Sequence, residues 1–292
     1  MPRTRRAAFA GRFYPASRSD CERMLRDMSR SAEVTGRPVG AIVPHAGWVY
    51  SGPTAALAIG AVGAARPETV VVFGAVHVPA AAEGSLYAAG CWQTPLGDLA
   101  IDEELAERAS GSEWISIDEA AHEYEHSIEV QLPLVRHFLG EVRILPIMVR
   151  PGPHAERIGR DCVAAALELG RRVVFLCSTD LTHYGPSFGF EPHGRGEAGI
   201  RWAKEVNDRR LIERIAAFDA EGVLTEAALK HSACGAGAVA AGIGAAREMG
   251  ADRYVELEHT TSAEREGLPG LTTTSVGYEA GVFVASSEKV AG

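Results

Sequence analysis

Apolar runs of strand length alternate along this chain with stretches of helical spacing. Residues 39–43 (Val-Gly-Ala-Ile-Val) read as a strand, and Pro53 to Ala65 as an Ala-rich helix. Residues 69–73 (Thr-Val-Val-Val-Phe) are continuous and β-branched, the signature of a strand buried on both faces. A short helix is expected over 102–109, and apolar positions 128, 132, 135 and 139 give the spacing of another. Residues 142–149 read as a strand whose Pro146 suggests an edge or a bulge. A helix over about 154–169 and a strand over 172–177 follow. Two or three helices fill roughly 197–249, before strands at 254–258 and 275–285. Strand and helix alternation at this spacing predicts an α/β sheet covered on both faces.

The pattern shows no internal repeat and no hinge, so one domain over 1–292 is expected, with a core of about 8–286 and a disordered tail at 287–292. The chain carries 29 Lys and Arg against 38 Asp and Glu, a net charge of −9, which argues against sequence-independent nucleic-acid binding. No apolar stretch approaches the ~18–20 residues of a membrane span. The apolar stretch after Arg6 is too short for a signal-peptide core. Five cysteines at 21, 91, 162, 177 and 234 include no CxxC pair, a poor disulfide framework. A cytoplasmic protein with reduced thiols is expected.

Three polar clusters each follow a predicted strand. Pro44-His45-Ala46-Gly47 follows Val43, residues 74–77 end in His77 after Phe73, and residues 178–183 carry Asp180 and His183 after Cys177. Ligands of open α/β sheets bind in the crevice beyond the carboxyl ends of the strands. A single loop histidine is ordinarily a surface residue; the shared position of these three segments makes them candidates together. Cys234 stands just before a Gly- and Ala-rich stretch. At the start of a helix its thiol would feel the positive end of the dipole and shift toward thiolate; the plainer reading is a small buried apolar residue. Cys91, Cys162 and Cys177 take that plainer reading.

His122-Glu-Tyr-Glu-His126 matches H-E-x-x-H, which needs one continuous helix to serve a zinc protease. Pro133 places the helix start near 127–132 and so argues against that arrangement. His126, beside Glu125, remains a candidate of another kind. Phe13, Trp48, Tyr50 and Tyr184 could wall a pocket, though core packing explains each equally well.

Several segments in fixed order carry a resemblance: residues 10–15 (Ala-Gly-Arg-Phe-Tyr-Pro), 44–52 (Pro-His-Ala-Gly-Trp-Val-Tyr-Ser-Gly), Gly74 to His77, 125–133 (Glu-His-Ser-Ile-Glu-Val-Gln-Leu-Pro), 178–185 (Ser-Thr-Asp-Leu-Thr-His-Tyr-Gly), 233–235 and 275–278. Together they resemble the Memo family, whose bacterial members are called AmmeMemoRadiSam system protein B. The resemblance implies a three-layer fold with a central mixed, largely parallel sheet, related to the class III extradiol dioxygenases. It also implies a metal site of His45, His77 and Cys234, with Fe(II) foremost and Cu(I) or Zn(II) as other candidates. His183, Asp180 and His126 would be catalytic, and Phe13, Trp48 and Tyr50 would line a substrate pocket. The chain departs from the family's usual Gly-Pro-Ser-His in having Gly74-Ala-Val-His77.

Three readings of function follow. The first is an iron-dependent oxidoreductase in which His183 acts as general acid or base, with Asp180 either orienting it or holding a supporting hydrogen bond behind the metal ligands. The second is a non-catalytic protein that sequesters iron or copper, or offers the pocket to a protein partner. The third is a zinc hydrolase. The sequence names no small-molecule substrate.

Overall fold

The computed structural model describes residues 3–79, 82–267 and 272–286; the expected tail at 287–292 lies outside them. In chain order the elements are β1 (Thr4–Arg5), α1 (Arg18–Met28), β2 (Arg37–Val43), α2 (Trp48–Val62), β3 (Thr69–Gly74), β4 (Gly84–Leu86), β5 (Cys91–Trp92) and β6 (Leu99–Ala100). Then come α3 (Glu103–Ala109), β7 (Ile115–Ile117), α4 (Leu132–Leu139), β8 (Arg143–Val149), α5 (Ala155–Glu168), β9 (Val173–Ser178) and β10 (His183–Tyr184). The last part holds α6 (Glu197–Trp202), a π-helical segment (Ala203–Asp208), α7 (Arg209–Ala216), α8 (Ala220–Lys230), α9 (Ala236–Glu248), β11 (Arg253–Thr261), α10 (Ser262–Arg265) and β12 (Ser275–Ala285).

Among the described residues, nine strands form one mixed sheet in the order β10-β12-β2-β9-β3-β8-β4-β7, with β11 paired to β12. Its centre, β2-β9-β3-β8, is parallel, and β12 joins β2 antiparallel. All six residues of β3 are buried, as expected of an apolar strand covered on both faces. Parallel central strands all end on the same edge, so Val43, Gly74 and Ser178 deliver the three polar clusters to one crevice.

Two expectations are corrected. Pro146 lies inside the sheet, in unbroken register with Val72 of β3, and is neither at an edge nor in a bulge. On its other side β4 pairs only Ile147 to Val149, so Pro146 sits one residue beyond that ladder and its carbonyl accepts Tyr87 N–H. Helix α2 begins at Trp48, five residues before Pro53. The carbonyl that a residue at 53 would normally bond belongs to Val49, in the first turn of the helix and on an exposed residue.

The small residues of α9 serve close packing. The helix is buried along most of its length, and a Cβ on Gly159 of α5 would lie 1.7 Å from the Ala241 carbonyl oxygen. Glycine tolerates its helical cost where backbones approach this closely.

Candidate metal centre

The crevice gathers imidazoles. His45, His77 and His126 offer ring nitrogens that all lie within 4.8 Å of one another. The His77 and His126 rings stack at 4.7 Å, and His45 meets them edge-on at 5.2 and 5.3 Å.

Hydrogen bonding fixes which nitrogen of each ring is free. Ser178 at the end of β9 spends its only hydroxyl proton on the Ser127 carbonyl, 2.7 Å away. Its oxygen must therefore accept from His45 Nδ1 at 3.0 Å, which leaves the His45 Nε2 lone pair for the crevice. Gln131 Nε2 donates to the same hydroxyl oxygen and to the Pro44 carbonyl, bracing the His45 loop. Glu125, almost fully buried, accepts from His77 Nδ1 at 3.1 Å and from the backbone N–H of His77 and Ser127, both at 2.8 Å. His77 thus also presents Nε2. His126 Nδ1 stands 3.5 Å from the same carboxylate.

The charge states of the three rings differ. Burial holds His45 well below its usual range, helped by the neighbouring imidazoles. Burial likewise lowers His126 to about 4 against the pull of Glu125. Burial also works against charge on His77, yet its bonds to Glu125 outweigh that and raise it. Glu125 lies far below the carboxylate range, because His77 and the backbone donors outweigh the cost of its burial.

Cys234 sits two residues before α9, with Sγ 3.2 Å from His45 Nε2 and the Asp180 N–H donating to it at 3.3 Å. The dipole argument for a thiolate does not hold in the protein alone: burial and the Asp180 carboxylate push the thiol upward. Nor does Cys234 belong to the three-imidazole group within 4.8 Å. An ion bound by nitrogen at ~2.0 Å and sulfur at ~2.3 Å in a tetrahedron holds those donors about 3.5 Å apart. The 3.2 Å between Sγ and His45 Nε2 is close to that spacing. The imidazole nitrogens need to close to about 3.4 Å for the same geometry. This donor set, two oriented imidazoles with a third imidazole and a thiol alongside, fits a borderline or soft cation.

The centre opens into a cavity of about 550 Å³ lined by Phe13, Tyr50, His183, Phe188, Tyr278 and the three imidazoles among others. Phe13 packs on His126 at 4.6 Å, and Tyr50 is 38% exposed at the mouth. Trp48, expected in this wall, stands behind it instead, buried with its indole N–H donating to the Val130 carbonyl. Two roles are expected of Asp180, and its hydrogen bond goes to the His45 loop and not to His183. Its Oδ1 accepts the His45 backbone N–H at 2.7 Å, whereas His183 Nδ1 donates to the Leu181 carbonyl at 3.0 Å. Nε2 is consequently the His183 ring nitrogen left free of the backbone, and the residue lines the cavity. Burial raises the Asp180 carboxyl, opposed by His183 and the backbone donors.

The H-E-x-x-H helix does not form. A single 3-10 turn covers Ala120–His122, and His122 is buried against Tyr87 and Trp92 with Nε2 on the Ser85 carbonyl.

Two supports escaped the sequence pattern. Arg5 donates to Glu129 and to the carbonyls of His122 and Glu125, and Glu129 also accepts from Ala8 N–H, Phe9 N–H and Tyr14 O–H. These bonds seat the N-terminal aromatics over His126. The π-helical segment ends in Asp208, whose carboxylate accepts from Thr182 N–H, Thr182 O–H and His259 Nε2, clamping the loop before His183.

The comparisons with known proteins agree with one another. A family model described as Memo-like protein matches residues 5–282. The chain belongs to the Memo family. It is 37% identical to a MEMO1 family protein of Thermococcus onnurineus over 289 residues, covering 94% of this chain and 98% of that one. A MEMO1 family protein of Pyrococcus abyssi is 38% identical over 284 residues, covering 93% and 96%. The fold resembles that of an uncharacterised Escherichia coli K12 protein of known crystal structure, with a TM-score of 0.52 and 13% identity, over 82% of this chain and 99% of that one. Among the described residues, this Memo-family chain has no helix long and apolar enough to cross a membrane.

Proposed function

We propose that this Memo-family protein is a metal-dependent oxidoreductase built around His45 and His77, with Cys234 as the third ligand and His126 beside them. The observation that carries the reading is the convergence of three neutral-capable imidazole nitrogens within 4.8 Å, two of them with tautomers set by Ser178 and Glu125. Fe(II) is the metal favoured by the likeness to extradiol dioxygenases; the thiol of Cys234 makes Cu(I) and Zn(II) the competitors. A metal held there would supply a Lewis acid with open coordination positions and, as iron, redox chemistry.

The chain's own residues do the rest. Asp180 anchors the His45 backbone, and Ser178 and Glu125 keep the two ring faces turned inward. Phe13 and Tyr50 hold an organic substrate against the imidazoles and shed water from it. His183, with Nδ1–H on the Leu181 carbonyl, takes or returns a proton at Nε2.

A second reading, non-catalytic sequestration of a soft ion, is favoured by the placement of Cys234 Sγ at 3.2 Å from His45. Metal analysis of anaerobically purified protein separates them. About one iron per chain, lost in His45→Ala and Cys234→Ser but kept in His183→Ala, supports the oxidoreductase. Copper at that level supports sequestration. No metal after loading with Fe(II), Cu(I) and Zn(II) sinks both.

A further inference from the structure

The centre has a second face. Besides the 550 Å³ cavity, a separate cavity of about 410 Å³ is lined by His77, His183, Phe188, Gly189, Phe190, Ala227, His231, Ala233 and Cys234. The two share only His77, His183 and Phe188 among their lining residues. Phe188 packs edge-on against His183 at 4.9 Å, and this pair and His77 border both cavities. His45, His126 and Asp180 line the first and Cys234 the second, and the two meet at the centre, where Cys234 Sγ is 3.2 Å from His45 Nε2.

The two sides differ in chemistry. The first cavity carries two carboxylates, Asp180 and Glu266, whereas the second has no Asp, Glu, Lys or Arg among its described lining residues. Phe190 and His231 in its lining meet at 5.1 Å, and Ala227 of α8 beside them adds little bulk. The second cavity thus offers no carboxylate, ammonium or guanidinium to pair with an ion, and a small uncharged molecule enters it at the lower cost.

We propose that the centre has two doors: an organic substrate enters by the larger cavity, and a small uncharged ligand reaches the Cys234 side by the second. The organic substrate rests on the proposed function, but the route to Cys234 does not. Partly buried Cys234 lines the second cavity and not the first, so its access reports which door is open.

The test is alkylation of the metal-free full chain by iodoacetamide, an uncharged probe, at one fixed pH with peptide mass mapping. The Cys234 sulfur forms a bond to the methylene carbon, iodide leaves, and the thiol proton passes to buffer. Ala227→Leu and Ala227→Trp should slow labelling of Cys234 in graded fashion, the latter at least tenfold. Val276→Trp, which narrows the first cavity, should leave the rate within twofold. Cys91, which is partly exposed, is the internal standard; Cys21, Cys162 and Cys177 are buried and stay unlabelled while the fold is intact. Slowing by Val276→Trp and not by the Ala227 variants overturns the proposal, as does equal labelling in all four proteins. Because no metal is present, either result leaves metal analysis free to judge the centre itself.

Discussion

Replacing Glu125 by Gln tests how the site holds His77. The carboxylate receives three N–H donors, from His77 Nδ1, His77 N and Ser127 N, at 2.8–3.1 Å. Gln is nearly isosteric but offers one acceptor oxygen, so its amide group must point two hydrogens at a donor whichever way it turns. Either the His77 backbone loses its partner, or the His77 ring and Ser127 do. Loss of such a ligand-orienting partner typically lowers metal affinity 10–100-fold, about 1.4–2.7 kcal/mol. Competition against a chromophoric chelator with Zn(II) measures this in wild type and Glu125→Gln. Proton NMR of the metal-free proteins adds a readout that mere loosening would not give. The His77 ring should titrate above its ordinary 6.5 in wild type and below it in the variant, where burial acts without the carboxylate. Unchanged zinc affinity together with an unchanged His77 titration would refute the reasoning.

Three further outcomes are expected. Ser178→Ala frees the His45 tautomer and leaves Nδ1–H, the Gln131 amide and the Ser127 carbonyl without this partner, so zinc affinity should fall about 10–100-fold and the melting temperature should fall with it. Gly159→Ala should destabilise by about 1–3 kcal/mol or more, because α5 and α9 must separate to admit a methyl group; thermal melting reads it. His122 is buried and lowered from 6.5 to about 4, so in that interval the unfolded chain binds a proton that the folded one refuses. Stability is therefore complete above pH 6.5 and is lost as pH falls toward 4, by on the order of 3 kcal/mol. His122→Phe should flatten the urea-melt stability profile across that window, and an unaltered slope would contradict the assignment.

The sequence carried the fold where burial was uniform. The β-branched run at 69–73 and the strand before His45 announce themselves because both faces are covered. Strands of two or three residues, such as β4, β5 and β10, leave no periodicity to read and exist only through their partners. The same division holds at the site. His45, His77 and His183 were legible because each follows a strand, and the sheet brings those ends together. What chooses their tautomers was not: Ser178 and Glu125 act through bonds to residues 133 and 48 positions away. Pairing of Arg5 with Glu129 spans 124 positions. Trp48 reads as a pocket aromatic by adjacency to His45, but the helix it opens turns its ring into the core.

The central claim is that His45 and His77 present their Nε2 atoms to one metal ion. Anomalous diffraction at the absorption edge of the loaded metal, on crystals of the metal-loaded protein, tests it most directly. The account predicts a single peak about 2.0–2.2 Å from both Nε2 atoms, with Cys234 Sγ at about 2.3 Å. A peak bound through either Nδ1, or one remote from His45 and His77, would contradict it.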